Sequence, residues 1–254
     1  MRKIIVILTV LFCLGSTSSF AAQFPFDGED INTNSDPEKY RLWDYPNANA
    51  AMSLFTGALI GVGTQDFEGF TPFADGAPLL IDFPGSTEDV KATLKGGGFV
   101  GTPIPGYETD TTGIYPISGT KYWDSGSNFS IEFSSPVAAF GFYGVDIGDF
   151  TGTLQLEFIS STSTTKIDIP STPNNAGGAV LYFGFIDDTN PFTSVNFTNT
   201  GSGTDYFGFD DFTIGTLDQV KEVPNVAPIP STFLLFGTGI IMLIGFKRKH
   251  LLDL

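Results

Sequence analysis

The sequence predicts an all-β protein, a single jelly-roll β-sandwich preceded by one short helix. Three observations predict it. Apolar and polar residues alternate with a period of two in many short runs. Turn-forming clusters separate those runs at short intervals. The composition is rich in glycine and phenylalanine, with 30 and 26 copies in 254 residues, while only 16% of residues are charged. A chain so apolar is not a disordered acidic polymer.

The runs follow in order. Asp66 and Glu68 alternate with Phe67 and Phe70. In FSIEF, Phe129, Ile131 and Phe133 share one face. In TLQLEF, Leu154, Leu156 and Phe158 do the same. KIDI (Ile167, Ile169), SVNF (Val195, Phe197) and DFTI (Phe212, Ile214) repeat the pattern. AVLYFGF, 179–185, is apolar on both faces and reads as a central strand. Pro136, Gly152, STSTT, PSTPNNAGG and DDTNP supply the breaks. Ahead of the strands, NANAAMSLFTGAL has Ala51, Leu54, Phe55, Ala58 and Leu59 at helical spacing, which predicts a helix over 47–59. Many strands without intervening helices mean a sandwich or barrel.

The two ends read differently. Arg2 and Lys3, the apolar stretch Ile4 to Leu14 and Ser19-Phe20-Ala21 have the order of a secretory signal peptide over 1–21, cut after Ala21. Residues 22–47 read as an exposed leader, 48–217 as the sandwich and 218–227, with its prolines, as a linker. At the far end, Phe233 to Phe246 is apolar and Lys247, Arg248 and Lys249 follow. Fourteen residues at about 1.5 Å each span roughly 21 Å, short of a hydrocarbon core of roughly 30 Å. This is a marginal, glycine-containing transmembrane helix, with the basic cluster as a membrane stop.

Charge and residue inventory exclude whole classes of chemistry. Of 28 acids and 12 bases, one acid and five bases lie in the two ends, so 22–226 carries 27 against 7, a net of −20. Nucleic acid is not a partner such a surface predicts, whereas divalent cations are; acidity that only keeps an exported protein soluble is the plainer reading. The single histidine, His250, lies beyond the apolar tail, and the single cysteine, Cys13, lies inside the signal. A Ser-His-Asp triad, a Cys-His pair and a His- or Cys-based zinc site are therefore excluded from the domain. KGGGF and GVGTQ match neither a phosphate loop nor a dinucleotide fingerprint and read as turns.

What remains is carboxylate, hydroxyl and aromatic chemistry. Three acidic clusters flank strands: Asp66 with Glu68, Asp146 with Asp149, and Asp210 with Asp211. Calcium takes oxygen ligands. If the first and last strands pair at one edge, Glu68 and Asp211 converge on one structural calcium, with Asp66 and Asp210 beside them. The alternative is that these acids face solvent or close turns. Trp43, Trp123, Tyr107, Tyr115, Tyr122 and Tyr143 fall in or near predicted loops. Trp123 in GTKYWDSGS, with Tyr122, is the best candidate for an exposed glycan contact, although most aromatics in such a sandwich are core.

The tail Pro228-Ile229-Pro230-Ser231-Thr232, then FLLFGTGIIMLIGF, then Lys247-Arg248-Lys249 resembles the PEP-CTERM sorting signal of exported bacterial proteins. Ile229 stands where that signal usually carries glutamate. GVGTQDFEGF, ATLKGGGFV, YPISGTKYW, FSIEFSSPVAAFGFYGVDIGDF, LYFGFID, FTSVNFTNT and DYFGFDDFTIG resemble domains common in PEP-CTERM proteins. The resemblance implies a jelly roll similar in shape to carbohydrate-binding modules. It implies a chain inserted transiently in the inner membrane and cut near Pro228 to Ser231 by an exosortase-like membrane protease. The chain would then reside at the surface or in the matrix of a Gram-negative-type bacterium. The function so predicted is a non-enzymatic, surface-associated protein of an exopolysaccharide or biofilm layer, in contact with glycan. A carboxylate-dependent glycan-active enzyme on the same fold is the alternative.

Overall fold

The apolar runs become strands of two facing antiparallel sheets. The computed structural model describes residues 24–221, apart from 127, 150, 151, 174, 176 and 202–204. The predicted signal peptide, the Pro228–Ser231 motif, the apolar tail and Lys247, Arg248 and Lys249 lie outside the described residues. No helix among the described residues is long and apolar enough to cross a membrane.

The elements run β1 (Phe24–Asp30), α1 (Pro46–Gly57), β2 (Gly63–Gln65), β3 (Leu79–Asp82), β4 (Lys91–Gly96), β5 (Phe99–Gly101) and β6 (Tyr122–Ser125). Then come β7 (Phe129–Val137), β8 (Ala139–Val145), β9 (Leu154–Ser160), β10 (Thr164–Asp168), β11 (Val180–Ile186), β12 (Phe192–Asn199) and β13 (Phe207–Gly215). One sheet has the order β1-β11-β8-β13-β6-β5, with β2 also paired to β13. The other has the order β10-β9-β12-β7-β4-β3. The prediction of an all-β sandwich with one short helix is the observed fold.

The main core lies between the sheets. Phe140 and Phe142 of β8 and Phe183 and Phe185 of β11 enter it from one side; Phe129, Ile131, Phe158 and Phe197 enter it from the other. Aromatic pairs thread through it, among them Phe129 and Phe197 stacked at 4.2 Å. The second sheet alternates: in β9, Leu154, Leu156 and Phe158 are buried while Gln155, Glu157 and Ile159 are half-exposed.

The first sheet is buried on both faces. All seven residues of β8 and of β11 are buried. Their outward residues, Ala139, Tyr143, Val145, Val180, Tyr182 and Ile186, form a second apolar cluster with Ala48, Ala51, Phe55 and Leu59. α1 supplies the cover. Pro46 starts it, as suits a position whose N–H has no helical partner, and Ala48, Ala51 and Phe55 are its buried face. Gly184 makes the close approach feasible: a Cβ there would lie 2.5 Å from a Phe55 ring carbon.

Two boundaries differ from those expected. Residues 24–30 are not an exposed leader; they form β1, paired in full register with β11 from Phe24↔Ile186 to Asp30↔Val180. The polar text FPFDGED hides a strand because an edge strand has only one partner to satisfy. At the other end, Leu217–Gln219 is a 3-10 turn closed by a capping box between Thr216 and Gln219, and Val220 bridges to Leu59. The folded part therefore runs into the expected linker.

Candidate functional site

Of the four acids read as calcium ligands, Glu68, Asp210 and Asp211 each bond to one loop, 117–121, while Asp66 accepts the N–H of Glu68. β2 and β13 pair, as expected of the first and last strands of the sandwich proper. A bulge in β13 after Asp210, with Asp211 at φ 49°, turns both carboxylates toward residues 117–121. Asp210 is fully buried. Its Oδ2 accepts the backbone N–H of Ile117 (2.8 Å) and Ser118 (3.0 Å). Asp211 Oδ1 accepts the Ser118 hydroxyl at 2.7 Å. Glu68 Oε1 accepts the N–H groups of Thr120 (2.6 Å) and Lys121 (2.7 Å), and Asp66 accepts the N–H of Glu68. These carboxylates thus clamp a loop through backbone donors. Burial raises the Asp210 carboxyl well above its usual range, and the Asp211 charge adds to it. Among the described residues no group of three or more acidic, histidine or cysteine side chains gathers at one point.

Trp123 and Tyr122 are not surface residues, which corrects the expectation of a glycan contact there. Trp123 is fully buried and Tyr122 is 1% exposed. GTKYWDSGS reads as a loop, but its centre is β6, held between β13 and β5. Trp123 points into the inter-sheet core, stacked on Phe67 at 6.2 Å. The glycines of KGGGF make room for it: a Cβ on Gly98, whose φ is +132°, would fall 2.4 Å from the indole.

The exposed tryptophan is Trp43, at 70%. It belongs to segment 31–45, which ties down onto the buried Tyr115. The Tyr115 hydroxyl accepts the N–H of Leu42 (3.1 Å) and donates to the Gly178 carbonyl (2.7 Å). Arg41 is layered between rings, 4.4 Å from the centroid of Trp43 and 5.0 Å from that of Tyr115. Glu108 Oε2 accepts from both the Arg41 backbone N–H (3.2 Å) and the Trp43 indole N–H (3.3 Å). Lys39 sits over Tyr40 (5.3 Å) and Tyr107 (5.4 Å), each 43% exposed. The result is a platform of three exposed rings, two cations and one carboxylate, fixed from beneath. Trp43 and Tyr107 stand among the loop aromatics of the sequence, but the signal that sets them above Trp123 is the alternation Lys39-Tyr40-Arg41-Leu42-Trp43.

A groove of about 530 Å³ lies between β2 and β3, lined by Asp66, Phe70, Leu80, Ile81 and Lys91 among others. A second acidic region lies at the end of β6 and β8. Asp146 is 2% exposed and accepts the Gly178 N–H. Burial pushes its carboxyl up to about 8, and the charge of Asp149 adds to this. Asp205 is raised to about 6 by burial and by Asp149.

No protein-family model matches the chain, and no curated protein matches it. Solved structures overlap it loosely. The K2 cleaved adhesin domain of Lys-gingipain is 14% identical, covers 60% of this chain and 98% of its own, and has a TM-score of 0.39. A variant of the family 29 carbohydrate-binding module CBM29-2 is 17% identical over 66% and 97%, at 0.29. TmCBM61 in complex with β-1,4-galactotriose is 13% identical over 59% and 92%, at 0.24. Overlaps this loose transfer neither a site nor a ligand.

Proposed function

We propose that the protein is an exported, surface-associated and non-enzymatic component of an extracellular polysaccharide layer, which contacts glycan through the Trp43 platform. The observation that carries this reading is the state of Trp43. Its ring is exposed, yet its N–H is bound by Glu108 and Arg41 is layered on it. An apolar ring held rigidly in water suits the C–H face of a sugar ring, and nearby polar groups suit its hydroxyls. Export and delivery rest on the signal peptide and the PEP-CTERM-like tail, with an exosortase-like protease as processing partner.

Affinity electrophoresis through gels containing neutral polysaccharides tests the contact. Retardation by at least one polysaccharide is expected, and Trp43→Ala weakens it at least about tenfold, since truncating a central tryptophan anchor removes most of a local contact energy. A wild type retarded by none of them, or a Trp43→Ala variant retarded equally, sinks the reading. The mass of the protein recovered from the cell surface tests the sorting: an end between Pro228 and Ser231 is expected. One observation favours the alternative of a glycan-active enzyme, the raised carboxyl of Asp205 beside Asp149, a pairing that could divide acid and base roles. Release of reducing ends that Asp205→Asn abolishes would establish it.

A further inference from the structure

The outer side of β6 carries a buried carboxylate oxygen that no protein atom satisfies. Tyr122 and Asp124, two residues apart on one face of the strand, lie on the opposite side from Trp123. Tyr122 is 1% and Asp124 5% exposed. Asp124 Oδ1 has no hydrogen-bond partner, and the Tyr122 hydroxyl lies against the Asp110 carboxylate. A buried carboxylate oxygen without a donor leaves its desolvation cost uncompensated. Such an atom in a native fold calls for a water or an ion.

The groups around it point to an ion. Loop 109–114 lies over this face: Ile114 sits against Gly208 of β13, whose register partner is Asp124. The same loop holds Asp110. Its Oδ1 gathers the N–H groups of Thr112 (2.8 Å) and Ile114 (3.2 Å) and the Thr112 hydroxyl (2.8 Å), which shapes the loop around one carboxylate. Asp110 is close enough that its charge opposes ionisation of both Asp124 and Tyr122. The ion pairs among the described residues, Lys95–Glu132 and Lys166–Glu157, both lie on the other sheet.

We propose that a calcium ion binds beneath loop 109–114, held by the carboxylates of Asp110 and Asp124 beside the Tyr122 hydroxyl. Two carboxylates are enough for calcium, which fills its shell of six to eight oxygens with carbonyls and water in flexible geometry; magnesium demands a near-ideal octahedron that an irregular loop does not offer. The net charge of −20 on 22–226 concentrates divalent cations at the surface. The site is distinct from Glu68, Asp210 and Asp211, which bond residues 117–121, and from Asp66, which accepts the N–H of Glu68. It stands independently of the glycan reading, although Asp110 follows Glu108 by two residues, so ion and platform share one loop.

Thermal unfolding of the purified protein, stripped with EDTA and then given calcium chloride, tests the proposal. At a hundredfold excess over the dissociation constant, a ligand of the folded state raises Tm by about 5–10 °C for a domain of this size. Asp110→Asn and Asp124→Asn each lose that rise, while Glu68→Gln keeps it. Should Asp124→Asn not fold, Asp110→Asn carries the test, because Asp110 is only half-buried and lies in a loop. No rise at millimolar calcium overturns the proposal, as does a rise that Asp110→Asn retains. A rise lost in Glu68→Gln alone moves the ion to the other acidic cluster. An equal rise with magnesium overturns the assignment to calcium.

Discussion

The two sheets obey one geometric rule and look unlike each other in sequence. The β9-β12-β7 side buries one face, so its strands alternate. The β11-β8-β13 side is sealed by the opposite sheet on one face and by α1 and segments 31–45 and 102–118 on the other, so its central strands are apolar throughout. Alternation therefore reports which faces are wet rather than whether a strand exists. The covered sheet is also where the unusual chemistry collects: the Trp43 platform, Asp146, and the Asp110–Asp124 pair all lie in or under its cover. The open sheet carries Ser130, Glu132, Asn196, Thr198 and Gln155 in simple cross-strand rows.

The largest effect is expected where the cover meets the covered sheet. Phe55→Ala removes a fully buried ring set against Gly184 and Tyr182. It should cost about 3–5 kcal/mol in denaturant unfolding, as much as a truncation in the main core such as Phe197→Ala. A cost below about 1 kcal/mol would mean that α1 is an accessory and that both sheets are effectively one-sided.

A smaller effect separates the sheets by pH. The Asp146 carboxyl titrates near 8 when folded and near 3.9 when unfolded. Between those values the folded state holds a proton that the unfolded state has lost. The contribution is thus fully present below about pH 4, declines as pH rises, and is gone above about 8. In EDTA, unfolding followed at pH 5 and pH 8 should show lower stability at the higher pH, and Asp146→Asn should reduce the difference, leaving the share of the other raised carboxyls, Asp124, Asp205 and Asp210. Equal stability at both values would show that water reaches the covered side.

The smallest effect belongs to the open sheet. Lys95 and Glu132 form a cross-strand pair with side chains about half exposed, at 49% and 50%. Lys95→Ala should change stability by at most about 0.5 kcal/mol, and less in high salt. A larger loss would mean that this face is covered in solution by something else.

Much of the open sheet was legible in the sequence because water writes the alternation into it. FSIEF, TLQLEF, KIDI and SVNF all lie there. AVLYFGF was legible through its length and its lack of polar residues. β1 and β6 were not. β1 has a proline, a glycine and three acids in seven residues, and β6 has four residues beside glycines. Only their partners, distant in sequence, make strands of them. The acidic site was legible in part: pairing of β2 with β13 was expected, but not that loop N–H groups would occupy the carboxylates. The exchange of Trp123 for Trp43 as the exposed ring follows from the same blindness. Exposure depends on what covers a residue, and the cover comes from elsewhere in the chain.

β1 meets no strand until β11, and its first pair joins Phe24 to Ile186. β2 likewise waits for β13. Early segments of the chain thus have no place to go until late ones exist, and the loops to be closed exceed a hundred residues. Such topologies fold slowly, on scales of milliseconds to seconds, because closure entropy must be overcome before the contacts form. The N-terminal strand thus cannot join its sheet before β11 is made. Until residue 186 is available, the chain stays open at that edge and can be threaded, held or cut there before the sandwich seals.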